Sequence, residues 1–296
     1  MSLPQIFDEL KPEIVAAENS WHAESTAKVP WTIYQGDALG VLSSLEDNSY
    51  ACCITSPPYY NLRDYGVENQ IGLEETINEY ITKINSVMTE VRKKLRTDGL
   101  LFLNLGDTYY SGKGKSQGTD PKSNKRRFGL RAVDKSGGMG IGLQRKSVIG
   151  VPWRVAIEMS KSHWVLRSAI IWHRARGLPE AVLDRPRRSY EYVFMFAKDR
   201  KYYFNRQPLI EKNVDEDVWT IPPRPKVPDG IDTAPYPDEL VQRCIDIGCR
   251  EGGAVLDPFA GSGTTLRVAI KNHRPATGID LNPDFCRYMV NELSKY

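Results

Sequence analysis

Near the carboxyl terminus, a strand pattern, a glycine-rich turn and a helix pattern follow one another without a break. Residues 254–257 form an apolar run typical of a buried strand, and the turn that follows reads PFAGSG. A helix pattern begins at Thr264, a second strand pattern covers residues 275–279, and Asp280 comes directly after it. Small turn residues let the backbone approach a ligand, and the start of a helix presents N–H groups to it. An acid after the second strand suits ribose hydroxyls, so this segment predicts a nucleotide-type site.

The glycine pattern narrows the class of ligand. A dinucleotide-binding turn reads GxGxxG, whereas this chain reads GSGTTL, with Leu266 where the third glycine belongs. A Walker A loop needs GK[ST] after its glycines, and this turn lacks it. S-adenosylmethionine is the remaining common ligand of such a half-site, so the pattern favours it over NAD, FAD or ATP.

The rest of the chain continues the alternation of strands and helices that is typical of a parallel α/β sheet. Strands are predicted at residues 31–34, 50–55, 100–105, 164–172, 191–197 and 202–205, the last two as a hairpin. Helices are predicted at residues 74–96, 151–160, 237–247 and 283–293, with Asp98-Gly99 ending the first. Apolar spacing over residues 4–20 predicts a further amphipathic helix. We therefore expect a helical extension at 1–30 and a main domain at 31–296.

A second chemical segment follows the strand predicted at 50–55. It reads Ser56-Pro57-Pro58-Tyr59, preceded by a threonine. Two prolines fix the backbone and remove two N–H donors, which leaves a hydroxyl and carbonyl oxygens as acceptors beside an aromatic ring. Acceptors for an amino group together with a stacking ring suit a flipped nucleobase. On its own the segment favours a simple Pro-Pro turn with a packed tyrosine.

Together the two segments resemble the amino-group DNA methyltransferases, which methylate exocyclic nitrogens. The catalytic motif of that family, [DNS]-P-P-[YFW], is matched by residues 56–59, and its FxGxG motif by residues 259–263. The catalytic motif comes first here, as in the permuted β-class. Gly36-Asp37 resembles the acidic motif near the adenosine, and residues 233–240 resemble the segment before the cofactor strand. The histidine that the family often carries near Asp232 is missing.

The resemblance implies a Rossmann-like S-adenosylmethionine-dependent methyltransferase fold. Its sheet has seven mostly parallel strands, one of them reversed, in a circularly permuted order. The implied catalytic residues are Ser56, Pro57, Pro58 and Tyr59. The implied cofactor-binding residues are Asp37, Asp257, Phe259, Gly261, Gly263, Thr264, Asp280 and Asn282. Asp280 is expected to hold the ribose, Asp37 the adenine end, and Asp257 with residues 259–263 the methionine portion.

The residue before Pro-Pro bears on the target base. In the resembling family, serine at this position mostly marks N4-cytosine enzymes, whereas Asp or Asn mostly marks N6-adenine enzymes, which leaves N6-adenine as the alternative. Methylation at cytosine C5 needs a cysteine nucleophile that normally follows a proline, and the sequence contains no Pro-Cys pair. Cys52 and Cys53 lie within an apolar strand pattern and are expected in the core. The cysteines form no CxxC pair, so no metal site is expected.

Basic residues are concentrated in two glycine- or proline-containing segments. Residues 111–147 contain ten basic and two acidic residues, a net charge of +8 against +3 for the whole chain. We interpret this segment as an insertion that binds DNA, and residues 173–190 as a second DNA-facing loop. The candidate DNA-binding residues are Lys125, Arg126, Arg127, Arg131, Arg174, Arg176, Arg187 and Arg188.

These patterns favour a site-specific methyltransferase that acts on double-stranded DNA in the cytoplasm. The resemblance also implies a cognate restriction endonuclease that shares the site, with no stable protein partner. No apolar run is long enough for a membrane span, and the amino terminus is unlike a signal peptide. Rival interpretations are an inactive DNA-binding regulator and an RNA or protein methyltransferase. The intact SPPY and FxGxG motifs argue against the first, and their order along the chain argues against the second.

Overall fold

The computed structural model describes residues 19–110, 142–175, 182–224 and 235–296, together with the backbone of 15–17, 119–120 and 123–127. The strands are β1 (Val15–Ala17), β2 (Ser20–Glu24), β3 (Pro30–Gln35), β4 (Tyr50–Thr55), β5 (Leu95–Leu105), β6 (Thr119–Asp120), β7 (Ser123–Arg127), β8 (Val165–His173), β9 (Tyr190–Ala197), β10 (Val218–Thr220), β11 (Val255–Asp257) and β12 (Ala276–Asp280). The helices are α1 (Ala38–Ser44), α2 (Ile77–Lys94), α3 (Val151–Lys161), α4 (Gln207–Glu211), α5 (Asp238–Gly248), α6 (Thr264–Lys271) and α7 (Pro283–Leu293).

One ten-stranded sheet forms the centre of the described structure, in the order β1-β2-β3-β12-β11-β4-β5-β9-β8-β10. From β3 to β5 all neighbours are parallel, and β9 runs antiparallel to both β5 and β8. The seven strands from β3 to β8 in this order are therefore the predicted sheet with one reversed strand. The carboxyl-terminal strands β11 and β12 lie between β3 and β4, which confirms the permuted order.

Alternating side chains of the central strands build a core on each face of the sheet. Cys52 and Ile54 of β4 point to the core beneath α5, α6 and α7, whereas Cys53 points to the core beneath α1, α2 and α3. Such strands are apolar on both faces because helices cover both sides of the sheet. Cys52 and Cys53 are fully buried and free, as predicted for core residues.

The predicted amino-terminal helix is wrong where the chain can be compared. Residues 15–17 and 20–24 form β1 and β2, and β2 pairs antiparallel with β3 along its whole length. The rest of the predicted helix, residues 4–14, lies outside the described residues. Without β2, the backbone groups along one edge of β3 would be unpaired. Pairing also buries Trp21 of β2 in the core, where 4% of the residue is exposed. Edge pairing and burial of this ring outweigh the helical spacing of the apolar residues.

Two further expectations differ from the structure. Helix α2 ends at Lys94, and Asp98-Gly99 lies inside β5, at a register shift against β4. Residues 202–205 form no strand, although the sequence pattern predicts a hairpin with β9. Both edges of β9 are already paired, one with β5 and the other with β8, so no edge remains for a third strand.

In the described part of the chain, every helix is too short or too polar to cross a membrane. The same residues contain no group of three or more His, Cys, Asp or Glu side chains that could hold a metal ion.

Candidate active site at the carboxyl edge of the sheet

Four neighbouring parallel strands bring the predicted motifs to one edge of the sheet. β3 ends just before Asp37, β12 ends at Asp280, β11 leads into the 258–263 turn, and β4 leads into Ser56. Because parallel strands have their carboxyl ends at the same edge, segments far apart in sequence meet there. Once the strand order is fixed, the position of each motif directly after its strand brings the motifs together.

An open cleft of about 710 Å³, part of it in contact with solvent, lies between these strand ends. Seven of the predicted site residues line it: Asp37, Ser56, Pro58, Phe259, Gly261, Asp280 and Asn282. The other catalytic and cofactor residues predicted from the sequence, Pro57, Tyr59, Asp257, Gly263 and Thr264, adjoin these positions without lining the cleft.

Asp280 holds the glycine turn against the end of β12. Its carboxylate accepts hydrogen bonds from the backbone N–H groups of Gly261 and Asn282, both at 2.8 Å. Burial raises the pKa of Asp280 to about 6, and these two hydrogen bonds act in the opposite direction. Each carboxylate oxygen has a second lone pair, so Asp280 can still accept from hydroxyl donors in the cleft.

Asp37 and Asn282 cap the helices that border the cleft. Asp37 Oδ2 accepts from the N–H of Gly40 at 3.0 Å at the start of α1. Asn282 Oδ1 accepts from the N–H of Asp284 at 2.9 Å at the start of α7. N-capping therefore fixes the Asp37 and Asn282 side chains at the starts of these two helices, where both line the cleft.

The glycine turn has little room for larger residues. Gly263 has a φ of +74°, and a Cβ atom there would lie 2.9 Å from Cγ of Met289 on α7. The hydroxyl of Ser262, a residue only 4% exposed, is buried without a hydrogen-bond partner among the described residues. An unpaired buried hydroxyl next to a ligand-binding turn is costly unless a ligand satisfies it.

Asp257 lies behind the cleft and links the two motifs. Its side chain accepts from the hydroxyls of Thr55, Thr265 and Tyr236 at 2.7, 2.6 and 3.1 Å, and from the N–H of Phe259 at 3.1 Å. Burial raises the pKa of Asp257, and the hydrogen bonds partly oppose this. Thr55 and the Phe259 N–H donate to one carboxylate oxygen, whereas the Thr265 and Tyr236 hydroxyls, which also contact each other, lie at the other oxygen. Thr55 directly precedes Ser56. These contacts join the strand end before Ser56 to the strand end before the 258–263 turn, and the contact of Asp257 with the methionine portion stays a prediction.

Tyr59 lies next to the cleft and directs its hydroxyl toward β5 and β9. Its ring packs on Gly106, where a Cβ atom would come within 2.6 Å of Cε2. Its hydroxyl lies 2.6 Å from Glu191 Oε2, 3.1 Å from Asn104 Oδ1 and 3.4 Å from Ser56 Oγ. Burial and the neighbouring Glu191 carboxylate raise the pKa of Tyr59 well above its ordinary value, so the phenol is protonated at neutral pH.

The predicted DNA-binding residues fall into three groups. Lys125, Arg126 and Arg127 lie on β7, of which the backbone alone is described, and Arg131 and Arg176 lie outside the described residues. Arg187 is exposed, and Arg188 is half-buried. Arg174 donates from Nη1 to Glu191 Oε1 at 3.1 Å, with 23% of its side chain exposed. Arg174 is thus paired with Glu191 and partly exposed, and its contact with DNA stays a prediction.

The two basic segments adjoin at their ends. Lys146 Nζ lies 2.6 Å from Asp184 Oδ2, and the guanidinium of Arg185 stacks 3.8 Å from the ring centre of Tyr109. Both segments leave the sheet at its carboxyl edge, since β5 ends at Leu105, β8 ends at His173 and the reversed strand β9 begins at Tyr190. The described ends of the predicted DNA-facing loops therefore lie at the same edge as the cleft.

Several residues of the cleft carry no motif and were missed from the sequence. They lie mostly in the segment between β4 and α2 and include Tyr65, Val67, Asn69, Gln70 and Ile71. Phe285 lies opposite on α7, with its ring centre 5.9 Å from that of Tyr65 in an edge-to-face arrangement. Only the position of Phe285, in the first turn after Asn282, gave a signal that could have pointed to the cleft.

The strand order, the single reversed strand and the cleft at the carboxyl edge define a methyltransferase-type α/β protein. The chain belongs to the DNA methylase family of N6/N4 methyltransferases, whose family model matches residues 50–291. It is therefore a DNA methyltransferase, as the two motifs predicted.

Similar proteins support this assignment. The chain is 38% identical to the type II methyltransferase M.Cfr9I of Citrobacter freundii, over 88% of this chain and 87% of that protein. It is 39% identical to M.SmaI of Serratia marcescens, over 86% and 87% of the two chains. Among solved structures, the cytosine-N4-specific PvuII DNA methyltransferase has a TM-score of 0.65 at 19% identity, over 90% of this chain and 91% of that one. A putative DNA modification methylase of Thermus thermophilus, solved with S-adenosyl-L-methionine, has a TM-score of 0.62 at 24% identity, over 89% and 93%.

Proposed function

We propose that this protein transfers a methyl group from S-adenosyl-L-methionine to the exocyclic N4 of cytosine at a specific site in double-stranded DNA. The observation that carries the proposal is the convergence of Ser56 and the 259–263 turn on one cleft. The preference for cytosine rests on the serine at the catalytic motif, and the PvuII structure, from a cytosine-N4-specific enzyme, shares the fold. The type II relatives support a role beside a cognate restriction endonuclease.

The residues around the cleft fit S-adenosyl-L-methionine. Asp280 keeps lone pairs for the two ribose hydroxyls, Asp37 lies toward the adenine end, and the unpaired Ser262 hydroxyl suits a polar group of the methionine portion. Phe285 and Tyr65 supply aromatic surface for the adenine ring. When bound, the cofactor would supply a methyl group activated by a positively charged sulfur: the C–S bond breaks to give a neutral thioether, and the methylated nitrogen releases one of its protons.

The protein's own contribution is to position the amino group that receives the methyl. That nitrogen is a weak nucleophile because its lone pair is delocalised into the ring. Ser56 Oγ and the Pro57 carbonyl would accept hydrogen bonds from the two N–H groups of this nitrogen and direct its lone pair toward the methyl group. The neighbouring Pro58 carbonyl is occupied by the Tyr80 hydroxyl at 2.9 Å, whereas no described residue donates to the Pro57 carbonyl. Tyr59 would contact the extruded base, and positioning of this kind supplies much of the rate.

We further propose that residues 31–296 form the catalytic domain, with 111–147 as an inserted DNA-binding segment and 173–190 as a second DNA-facing loop. The proposed DNA contacts are Lys125, Arg126, Arg127, Arg131, Arg174, Arg176, Arg187 and Arg188. Most would contact phosphates and a minority base edges. The cytoplasmic location expected from the sequence stays a prediction.

Nucleoside mass spectrometry tests the reaction and the target base together. Duplex DNA is incubated with the protein and isotope-labelled S-adenosyl-L-methionine and then digested to nucleosides. We expect labelled N4-methylcytosine, and Ser56→Ala should abolish it while the protein stays folded. Ser86→Ala, at an exposed position on α2, is the matched control and should leave transfer unchanged. Labelled N6-methyladenine alone would refute the cytosine assignment, and the absence of any labelled base would refute the function.

A further inference from the structure

Behind Ser56, a chain of polar side chains leads from the cleft to the reversed strand β9. Ser56 Oγ contacts the Tyr59 hydroxyl at 3.4 Å, a long hydrogen bond, and the Tyr59 hydroxyl lies 2.6 Å from Glu191 Oε2. On the other carboxylate oxygen, Arg174 Nη1 lies 3.1 Å from Glu191 Oε1. With 13% of its side chain exposed, Glu191 is well shielded from solvent.

The direction of these hydrogen bonds follows from the chemistry of the groups. A carboxylate can only accept, so the single hydroxyl proton of Tyr59 points to Glu191. The other close acceptor, Asn104 Oδ1 at 3.1 Å, competes for the same proton and also lies away from Ser56. The amide orientation of Asn104 is fixed because its Nδ2 donates to the backbone carbonyl of Tyr192 at 3.0 Å. The Tyr59 oxygen can therefore only accept from Ser56.

We propose that Glu191, held by Arg174, is a positioning residue that sets this direction and thereby makes Ser56 an acceptor toward the target amino group. The inference deepens the proposed function and rests on it. With its own proton directed to Tyr59, Ser56 Oγ presents its lone pairs to the cleft. In the opposite orientation the hydroxyl would donate to the amino nitrogen and occupy the lone pair that must attack the methyl group.

No covalent step takes place at Glu191 or Tyr59 in this arrangement. Their effect is on the fraction of bound complexes in which the amino group is correctly oriented. We therefore expect the rate of methyl transfer to fall when the chain is broken, while the affinities for S-adenosyl-L-methionine and DNA stay close to those of the unmodified protein.

Single-turnover transfer to duplex DNA, with folding checked by thermal melting, tests the inference. Glu191→Gln replaces the carboxylate, which can only accept, with an amide whose NH₂ group can donate to Tyr59, with little change of shape. Tyr59→Phe keeps the ring but removes the hydroxyl. Each should lower the transfer rate by about tenfold to a hundredfold, the size of effect expected from misorientation. The matched control is Glu158→Gln, which changes an ion pair on the exposed face of α3 and should keep the original rate.

Coupling to Ser56 separates a positioning role from a general structural one. In a Ser56→Ala background, Glu191→Gln should produce no further loss, because its effect passes through the serine hydroxyl. If Ser56→Ala leaves no measurable transfer, the Tyr59→Phe/Glu191→Gln double variant should be no slower than either single variant.

Three results would overturn the inference: an unchanged rate in Glu191→Gln, multiplicative losses in the double variants, or losses accompanied by a lower melting temperature and weaker cofactor binding. Failure of the proposed function itself would look different, since the unmodified protein would then methylate neither amino base.

Discussion

Asp280 meets two opposing demands at the cleft. Burial raises its pKa to about 6, whereas the ribose hydroxyls it is proposed to bind require the charged, accepting form. As the pH falls through this pKa, the carboxyl takes up a proton that cofactor binding must displace. We predict that the affinity for S-adenosyl-L-methionine is constant above about pH 7 and falls about tenfold for each unit below about pH 6. Isothermal titration calorimetry from pH 5 to 8 measures this.

The comparison that isolates Asp280 is the Asp280→Asn variant. It should bind the cofactor more weakly at pH 7 and lose the pH dependence attributed to this carboxyl. Ionisable groups of the cofactor affect every variant equally, so they cancel in the comparison. Asp217→Asn, at an exposed position before β10, should follow the unmodified protein. Identical pH profiles for Asp280→Asn and the unmodified protein would contradict the assignment.

Asp257 is predicted to matter for stability. Asp257→Asn replaces one accepting oxygen with a donating NH₂ group among three hydroxyls and one N–H group. At least one buried donor then loses its partner, and we expect the free energy of unfolding to fall by about 1–3 kcal/mol in urea titrations. Asp199→Asn, in the turn after β9, should change it by about 0.5 kcal/mol or less. Equal stabilities of the two variants would show that the network is not stabilising.

At the scale of single residues, the sequence predicts which side chains follow the strands but not which hydrogen-bond partners those side chains have. Asp37, Ser56 and Asp280 reach the cleft because topology fixes the ends of parallel strands. Asp257 and Arg174 also follow strand patterns, but the sequence does not reveal that Asp257 accepts from Thr55 or that Arg174 pairs with Glu191. Glu191 was missed because its partner Tyr59 lies 132 residues earlier, and no local spacing signals that contact.

Among the elements, strand order was easier to predict than the edges of the sheet. Motifs and continuous apolar runs such as YACCIT of β4 predict the strands β3, β4, β5, β8, β9, β11 and β12. The amino-terminal segment has apolar residues at helical spacing, but its structure is decided by the unpaired edge of β3, which local periodicity does not reveal. Similarly, residues 202–205 have a strand composition but find no free edge beside β9.

The β1–β2 extension should therefore contribute to the stability of the sheet. Trp21 is 4% exposed and packs into the core beneath α5, α6 and α7. We predict that Trp21→Ala lowers the free energy of unfolding by about 3–5 kcal/mol, the range for truncating a large buried aromatic side chain. Ile157→Ala, at a position 55% exposed on α3, is the control and should cost about 0.5 kcal/mol or less. Comparable urea midpoints for the two variants would mean that the extension is peripheral.

Across the whole molecule, charge is distributed unevenly. Residues 111–147 carry a net charge of +8, so the remainder of this +3 chain carries −5. We predict that replacing Lys125, Arg126, Arg127 and Arg131 with glutamine weakens DNA binding and leaves S-adenosyl-L-methionine binding unchanged. The slope of log affinity against log salt should become shallower by about 0.9 for each phosphate that the variant no longer neutralises. Fluorescence anisotropy at several salt concentrations measures both effects.

The same change of charge can be made at the opposite edge of the sheet. Lys93, Lys161 and Lys271 lie in the last turns of α2, α3 and α6, and Lys295 follows α7. Glutamine at these four positions should weaken DNA binding far less and leave the salt slope nearly unchanged. If both quadruple variants lose the same affinity, DNA binding depends on total charge, and the basic segment has no special role.

The two ends of the basic segment are joined at its base. Tyr109 and Val148 form an isolated antiparallel bridge, and the N–H of Tyr110 donates to the carbonyl of Ser147 at 2.8 Å. Because closing a longer loop costs only about 0.6 kcal/mol per doubling of its length, residues between these ends can be exchanged without disturbing the sheet. Under the proposed role of this segment in DNA binding, a different segment grafted between Tyr110 and Ser147 should change the target sequence and leave the catalytic body intact.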